Sequence, residues 1–305
     1  MNFKEKITVI TPTFNRAHTL NRVYESLLRQ SFKDFKWVIM DDGSTDHTEE
    51  VIRNFINDNQ IKIEYYKNPN HKKFYTVFKA IKNVTTPYFT IIDSDDAYLD
   101  DALEILIKEA DQLNPNKFIS VIGHSVNQNG KLVGTLFPFD FDGSILQMRY
   151  KYKVRGDKNG LFITKPYLEF LENFDFEKYK NKYAPQRIFF QIYDAVGLKT
   201  RFINKAVRIY YYDLSDTQSM SNDRIKPSSY EGLTEGHLSF LNAYGNQLFF
   251  YPKALLRNII GYQTYALKSG RGIFRIIADV KNPWIKVLGI LTFPFSLIYQ
   301  KNTIR

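Results

Sequence analysis

The first 123 residues alternate between short apolar runs and amphipathic stretches, and this alternation constrains the fold more than any other feature. Runs of β-branched and aromatic residues predict strands, whereas apolar residues spaced three and four apart predict helices. The predicted strands are residues 7–11, 35–40, 61–66, 88–92 and 118–123, and the predicted helices are residues 17–30, 46–56, 74–83 and 99–113. Such alternation predicts an α/β fold, with a mostly parallel sheet and helices on both faces.

Beyond residue 123 the alternation becomes less regular. Residues 127–130, Asn-Gln-Asn-Gly, predict a hairpin turn between two short runs. The later segments are predicted to be an aromatic-rich, loop-like region at 139–185, a helix at 187–196, a strand at 202–212, a polar loop at 215–229 and helices from residue 230. We therefore expect a first domain over residues 1–225, with halves at 1–124 and 125–225, and a helical extension over residues 226–305.

Cysteine is absent from the chain, which excludes disulfides and a thiolate zinc site. The five histidines are scattered and form no HExxH pair, which argues against a histidine zinc site. The chain does not begin with a secretory signal pattern. Its longest uncharged apolar stretch, residues 287–299, is interrupted by Pro294 and is too short to span a bilayer. We therefore expect a cytoplasmic protein.

The formal net charge is +10, and its distribution along the chain is uneven. Residues 251–305 contain nine basic residues and one acidic residue, so this tail carries +8 of the total. Basic residues among apolar ones are typical of segments that lie on anionic membranes, although such a helix can also pack back on its own protein. Nucleic-acid binding is disfavoured, because it predicts basic residues spread along a groove with exposed aromatic residues.

Three polar clusters each follow a predicted strand, at residues 11–16 (TPTFNR), 41–46 (DDGSTD) and 93–96 (DSDD). Because ligands of open α/β sheets bind at the carboxyl ends of the strands, we expect the clusters to meet in one crevice. No glycine-rich fingerprint follows the first strand, which argues against nicotinamide cofactors and P-loop nucleotides. A nucleotide site here needs another device, such as carboxylates and a metal ion.

The DSDD cluster places three carboxylates within four residues at the end of an apolar strand, which is electrostatically costly without a cation. Oxygen ligands on a loop suit Mg²⁺ or Mn²⁺, and the alternative is a helix cap with a solvated turn. Asp42 is suited to accept a hydrogen bond from a base or a ribose, unless it only shapes a turn. Arg16 is placed either to meet a phosphate or to remain solvated.

In this order and spacing, TPTFNR, DDGSTD and DSDD resemble the family 2 glycosyltransferases, which have a GT-A fold. The resemblance is strong over residues 7–110 and weaker to about 215. It implies a Rossmann-like nucleotide-sugar-binding half at 1–124 and an acceptor-side half at 125–225. It also implies a nucleotide-diphosphate sugar, a Mn²⁺ or Mg²⁺ ion and an inverting transfer to an acceptor hydroxyl.

The resemblance assigns the contact with the nucleotide base to Asp42 and the binding of the metal to Asp95 and Asp96. Lys73 is the basic residue expected near the nucleotide, although the Gly-Gly that usually precedes it reads His71-Lys72 here, and an Asn common in the next helix is Phe78. The full set assigned to nucleotide-sugar binding is Thr11, Pro12, Asn15, Arg16, Asp42, Lys73, Asp93, Ser94 and Asp95.

The catalytic base is the point at which the chain departs from the resemblance. The position expected to be acidic is Gln186, and glutamine does not accept a proton near neutral pH. Either the correspondence is shifted, with Glu177 or Asp194 serving instead, or Asp157 in a Gly-Asp-Lys element is the base, or the transfer is slow or absent. These alternatives stay open.

The resemblance implies sugar transfer, from UDP-sugar in the first place, to a glycan or lipid-linked glycan in bacterial surface-polysaccharide assembly of the O-antigen or capsule type. With the basic tail, it predicts a peripheral protein on the inner face of the membrane. The competing reading is a catalytically weakened relative that binds nucleotide sugar or scaffolds an assembly complex. Phosphoryl or nucleotidyl transfer fits the combined motifs less well.

Overall fold

The computed structural model describes residues 5–185, 187–212 and 226–302. The chain divides into two compact units, and each is formed from two stretches of the sequence. The sheet unit comprises Met1–Asn181 and Leu198–Asp213, and the helical unit comprises Lys182–Gly197 and Leu214–Arg305. Residues 182–197 therefore group with the C-terminal helices, although they precede the last strand of the sheet unit.

The sheet unit contains nine strands and five α-helices among the described residues. The strands are β1 (Ile7–Thr13), β2 (Phe35–Asp41), β3 (Ile63–Lys67), β4 (Tyr88–Ile91), β5 (Ala97–Tyr98), β6 (Phe118–Asn127), β7 (Phe141–Gly143), β8 (Lys158–Ile163) and β9 (Lys199–Tyr210). The helices are α1 (Leu20–Leu28), α2 (Thr48–Asp58), α3 (Lys73–Lys82), α4 (Ala102–Ala110) and α5 (Thr164–Glu172). A π-helical turn, Gln147–Lys151, and a 3₁₀ turn, Glu177–Tyr179, lie between them.

The strands form one sheet in the order β3-β2-β1-β4-β8-β6-β9-β5, and β7 pairs with β9. The first four strands pair in parallel, as do β6 and β9. Strand β8 lies antiparallel between β4 and β6, in the region for which the sequence predicted loops. The predicted α/β fold with flanking helices is confirmed, in a sheet that mixes parallel and antiparallel pairs.

The predicted hydrophobic stripes account for the packing of the helices on the sheet. Leu20, Val23 and Leu27 of α1 are fully buried in a core that includes Trp37 of β2. Asp46 accepts hydrogen bonds at its Oδ1 from the backbone N–H and the hydroxyl of Thr48, so it satisfies a donor in the first turn of α2.

The helical unit contains five α-helices among the residues described. They are α6 (Arg187–Ala195), α7 (Tyr230–Tyr244), α8 (Pro252–Lys268), α9 (Ile273–Ala278) and α10 (Pro283–Asn302). Helix α8 packs against both α7 and α10. Its contact with α7 includes a buried hydrogen bond of 2.8 Å between Asn258 Oδ1 and His237 Nδ1. Within the described ranges, no helix combines the length and apolar character needed to cross a membrane.

Candidate active site

The loops that follow β1 and β2 are fastened to each other by Asn15. Its side-chain oxygen accepts a hydrogen bond of 2.8 Å from the backbone N–H of Thr45, and its own N–H donates to Ser44 Oγ at 2.9 Å. Asn15 has a φ of +54°, a left-handed conformation that asparagine tolerates better than most residues. The backbone N–H of Arg16 also donates to Thr48 Oγ1, at 2.9 Å. This part of the predicted nucleotide site therefore joins the two loops.

The end of β1 is buried at Thr11 and Pro12. The Thr11 hydroxyl accepts a hydrogen bond of 2.8 Å from the indole N–H of Trp37. The side chain of Thr11 is thus engaged with the core of the sheet unit.

The two aspartates that begin the DDGS motif have different partners. Asp41 accepts hydrogen bonds of 2.8 Å from the Ser44 N–H and the Tyr65 hydroxyl, which shapes the turn. Asp42 is buried, and its Oδ1 accepts hydrogen bonds from the His71 N–H at 2.8 Å and the Thr76 hydroxyl at 2.6 Å. Burial raises the pKa of Asp42, against these hydrogen bonds, which lower it. Asp42 is therefore held rigidly against the start of α3.

The residues before α3 depart from the expected Gly-Gly, and one of them has an unusual backbone conformation. Lys72, which stands at one of those positions, has a φ of +74°, where glycine has no steric penalty. Lys72 adopts this conformation although it is not glycine. The next residue, Lys73, places its Nζ 2.6 Å from Asp93 Oδ1.

Asp93, Asp95 and Asp96 each offer a carboxylate oxygen within 4.8 Å of the others. Asp93 pairs with Lys73, and Asp96 pairs with Arg208 of β9 at 3.1 Å. In the described part of the chain no lysine or arginine forms an ion pair with Asp95. Ser94 is buried in the same turn.

The electrostatics of the cluster follow from this unequal pairing. Burial acts against the charged form of Asp93, but the Lys73 ammonium outweighs it and lowers the pKa of that carboxyl. Burial and the charge of Asp93 raise the pKa of Asp95. Burial also raises the pKa of Asp96 to about 7, although the Arg208 guanidinium opposes this shift.

Asp95 is the one carboxylate of the three that forms no ion pair among the described residues, although the charge of Arg16 acts on it. This imbalance, together with the clustering of the oxygens, fits a divalent cation with oxygen ligands. Asp96 is already engaged at both oxygens, since Oδ2 faces Arg208 and Oδ1 accepts a hydrogen bond of 3.3 Å from the Tyr211 N–H. The structure thus distinguishes the two acids that the sequence had assigned together to the metal.

Sequence reasoning did not identify two arginines that contact the acid cluster, Arg208 and Arg22. Arg208 is buried and its Nε donates to Ser125 Oγ at 3.0 Å. Arg22 donates to the backbone oxygen of Asp95 at 3.3 Å, and its guanidinium lies 4.5 Å from the centre of the Tyr211 ring. The sequence did contain a signal for the first of them. Arg208 stands between apolar residues of β9, and arginine is seldom buried without a partner.

The candidate bases have different environments. Asp157 is exposed at the start of β8, and its charge contributes, after burial and ahead of Asp96 and Asp95, to raising the pKa of Tyr210. Glu177 accepts a hydrogen bond of 3.2 Å from the Tyr75 hydroxyl. Asp194 belongs to the helical unit, where it accepts a hydrogen bond of 2.7 Å from the Tyr244 hydroxyl. Gln186 lies outside the described residues.

Proteins of known sequence that resemble this chain include glycosyltransferases of bacteria. A Campylobacter jejuni GalNAc(5)-diNAcBac-PP-undecaprenol beta-1,3-glucosyltransferase is 34% identical over 109 residues, which are 35% of this chain and 35% of that protein. An uncharacterized glycosyltransferase of Rickettsia conorii is 32% identical over 140 residues, which are 46% of this chain and 23% of that protein. The chain therefore spans well under half of the length of these relatives.

Solved structures with the same fold include S. aureus TarS 1-349 in complex with UDP-GlcNAc. It has a TM-score of 0.63 and 18% identity, over 90% of this chain and 84% of that one. Mannosyltransferase PcManGT from Pyrobaculum calidifontis, in complex with GDP-Man and Mn²⁺, has a TM-score of 0.57 and 15% identity, over 98% of this chain and 84% of that one. At such identities the likeness concerns the fold alone, and it confirms the GT-A prediction.

A family model described as Glycosyl transferase family 2 matches residues 8–203, which is more than half of the chain. The match contains all three strand-end clusters on which the resemblance was based. The chain belongs to glycosyl transferase family 2.

Proposed function

We propose that this protein is a metal-dependent inverting glycosyltransferase that moves a sugar from a nucleotide-sugar donor to a hydroxyl of a glycan or lipid-linked glycan. The observation that carries the proposal is the meeting of Asp42, Lys73 and the three acids of the DSDD motif on segments that follow β2, β3 and β4. Structures of the same fold in complex with UDP-GlcNAc, UDP and GDP-Man support this class of donor, and UDP-sugar remains our first choice.

The donor is bound, in this proposal, by groups whose positions are fixed before it arrives. Asp42 is suited to accept a hydrogen bond from a base N–H or a ribose hydroxyl, because its carboxylate is already oriented by His71 and Thr76. Lys73 carries a positive charge, since the nearby acids raise its pKa despite burial, and is suited to meet a phosphate. Arg16 lies close enough to lower the pKa of both Asp93 and Asp95 and adds positive charge to the same place.

Mn²⁺ or Mg²⁺ would be held by Asp95, with Asp96 beside it. When bound, such an ion neutralises charge on the departing diphosphate, an effect worth several kcal/mol. Arg208 keeps the Asp96 carboxylate in one orientation, and Arg22 anchors the backbone of Asp95. The loop is therefore rigid at the point where it would bind the ion.

A base is needed to take the proton from the acceptor hydroxyl, and such catalysis contributes roughly 10²–10⁴-fold. Asp157 is our candidate within the sheet unit, because it is exposed and its charge acts on Tyr210 together with those of Asp95 and Asp96. The competing function, a relative that binds nucleotide sugar with little or no transfer, follows from glutamine at position 186.

The acceptor and the location are inferred on a different basis. The printed name of the Campylobacter jejuni relative describes a PP-undecaprenol-linked acceptor, which supports a lipid-linked glycan here too. We infer a role in cell-surface polysaccharide assembly of the O-antigen or capsule type. We also infer a cytoplasmic protein, attached to the inner face of the membrane through residues 226–305.

The decisive experiment is a screen of nucleotide sugars for Mn²⁺-dependent binding and hydrolysis by the full chain. We expect one donor to bind and to be hydrolysed, and Asp95→Asn to reduce hydrolysis by about 10²-fold or more. Asp101→Asn is the matched control, because Asp101 is exposed at the start of α4, and it should leave hydrolysis unchanged.

Three outcomes of the screen are informative. Turnover that requires Asp95 supports the proposal. Binding without any glycosidic product or hydrolysis supports the weakened relative, and the variant Gln186→Glu then tests whether an acid at that position restores turnover. If no nucleotide sugar binds, with or without Mn²⁺ or Mg²⁺, the proposal is wrong.

A further inference from the structure

Helix α10 buries two apolar residues, Ile285 and Phe293, together with small and polar ones. Gly289 and Ser296 face α8, where Gln263 is buried between them. The Gln263 side-chain amide donates a hydrogen bond of 2.6 Å to the Gly289 carbonyl, and its oxygen accepts one of 2.6 Å from the Ser296 hydroxyl. The helix is thus attached to the helical unit through apolar contacts and through these hydrogen bonds.

The opposite side of α10 is apolar and exposed. Trp284 is 67% exposed and Leu291 is 66% exposed, and no charged residue lies between them on this side. At 3.6 residues per turn, the exposed apolar residues share one side of the helix. We call this surface the α10 face, and its residues are Trp284, Val287, Ile290, Leu291, Phe295, Leu297 and Ile298. Helix α9 adds Phe274, which is 91% exposed.

Three acids of the C-terminal helices form internal ion pairs. Glu231 pairs with Lys182 at 3.2 Å, Glu235 with Arg271 at 2.6 Å, and Asp279 with Arg271 at 3.3 Å. Five basic residues, in contrast, form no ion pair within the described residues. They are Lys253, Arg257, Lys268, Lys281 and Lys286. The described part of the C-terminal helices therefore offers positive charge to a partner.

We propose that the α10 face binds the surface of an anionic lipid bilayer and inserts its apolar side chains between the head groups. The proposal rests on the membrane attachment inferred above and names the contacting surface. Lys281 and Lys286 lie within three residues of Trp284, so the positive charge adjoins the apolar side chains. Apolar residues bordered by lysine and arginine are the signature of helices that lie in the membrane interface, and tryptophan favours the same depth.

A second copy of the chain is the competing occupant, and charge disfavours it. A twofold contact through the α10 face would bring the same surface of both copies together. Lys281 and Lys286 of one copy would then lie close to those of the other, with no acid to neutralise them. An anionic bilayer supplies the missing negative charge, and phosphatidylglycerol is therefore the appropriate lipid for the test.

Tryptophan fluorescence provides a direct readout, because the chain has two tryptophans and only one of them is accessible. Trp37 is fully buried in the sheet unit, whereas Trp284 lies on the α10 face. With vesicles of phosphatidylcholine and phosphatidylglycerol that contain a brominated lipid, we expect quenching and a blue shift of the emission. The variant Trp284→Phe should still bind the vesicles but should lose the quenching.

Vesicle sedimentation with matched variants tests the same surface without fluorescence. Leu291→Glu should weaken binding about tenfold or more, because the burial of one leucine is lost and a charge is added. Leu136→Glu is the control: Leu136 is 58% exposed in the sheet unit, and its variant should bind like the wild type. Lys281→Glu combined with Lys286→Glu should weaken binding to anionic vesicles, as should high salt.

These measurements need neither donor nor metal, so their failure is separate from failure of the proposed sugar transfer. The proposal is overturned if the full chain does not bind phosphatidylglycerol vesicles. It is also overturned if Leu291→Glu binds them as well as Leu136→Glu does. A dimer seen by light scattering in the absence of lipid, and separated by Leu291→Glu, would identify the α10 face as a contact between two copies instead.

Discussion

The sheet unit and the helical unit both bury apolar residues, but the helical unit also exposes a large apolar surface on α10. In the sheet unit Trp37 and Phe78 are fully buried, and the charged residues of the site lie at the ends of the strands. In the helical unit Gln263 is buried, whereas Trp284 and Phe274 are exposed. Because both units have the same kind of helical apolar spacing in the sequence, the spacing alone does not say which side of a helix is covered. The charges around an exposed side then indicate what kind of partner covers it.

The two units also differ in how they hold a buried arginine. Arg208 of the sheet unit and its partner Asp96 have side chains that are 7% and 2% exposed. Arg271 of the helical unit is 10% exposed, but its partners Glu235 and Asp279 are 22% and 29% exposed. The first pair has lost contact with water on both sides, whereas the acids of the second retain it. Removing the arginine should therefore cost very different amounts of stability.

The largest effect that we predict is the loss of stability in Arg208→Met. The substitution keeps the approximate length of the side chain but leaves Asp96 buried without its cation, which costs about 3–5 kcal/mol of unfolding free energy. Arg271→Met should cost less, because Glu235 and Asp279 reach water. Urea denaturation of the two variants in the presence of a chelator measures the difference.

A double variant separates the loss of charge pairing from the loss of packing. Arg208→Met combined with Asp96→Asn removes the carboxylate as well, so much of the lost stability should return. If the double variant is as unstable as Arg208→Met, then the packing of the Arg208 side chain is responsible and the contrast between the two ion pairs is wrong.

The second prediction concerns Gln263, a polar residue that is buried in the helical unit. Gln263→Met fills a similar volume but leaves the Ser296 hydroxyl without its partner, whereas the Gly289 carbonyl still accepts a hydrogen bond of 3.2 Å from the Thr292 hydroxyl. A buried polar group left unpaired costs about 1–3 kcal/mol, so we expect a loss in that range by thermal or urea denaturation.

Ser296→Ala in the same background is the control for this prediction. It removes the orphaned hydroxyl and should restore part of the lost stability. A Gln263→Met variant that is as stable as the wild type would show that the buried hydrogen bonds do not hold α10 in place. The hydrogen bonds of Gln263 would then add nothing to the apolar contacts of this helix.

The sequence was sufficient to predict the first half of the sheet unit and the edge at which its strand-end clusters lie. Strands β1 to β4 and helices α1 to α4 have clear apolar periods, and the carboxyl ends of parallel strands must meet at one edge. The sequence did not reveal β8. That strand begins with Lys158 and Asn159 and contains Gly160, whose missing side chain leaves room for the Val121 carbonyl, so its pattern is not apolar.

Partners that lie far apart along the chain were beyond sequence reasoning for a different reason. Arg208 and Asp96 lie far apart in the sequence, and nothing in the local spacing of either residue indicates the other. The backbone conformation of Lys72 was likewise hidden, although the departure from Gly-Gly marked the position. The apolar residues of α10 were visible in the sequence, but the choice of buried side was not, because both the buried Ile285 and Phe293 and the exposed Trp284 and Leu291 are apolar.

The smallest effect that we predict compares one glycine from each unit. Gly43 and Gly270 have φ values of +87° and +82°, so alanine at either position takes on a strain of about 1–2 kcal/mol. A side-chain carbon at Gly270 would meet no atom within 4 Å, whereas at Gly43 it would lie 3.0 Å from the Asn70 N and 3.2 Å from the Asn68 O. Gly43→Ala should therefore cost somewhat more than Gly270→Ala in urea denaturation.

Gly43→Ala should also weaken nucleotide-sugar binding, since it displaces the segment that leads to His71, the donor to Asp42. Equal stability and equal donor binding in the two variants would show that the loop after β2 tolerates this displacement, and that the rigidity attributed to Asp42 comes from Thr76 alone.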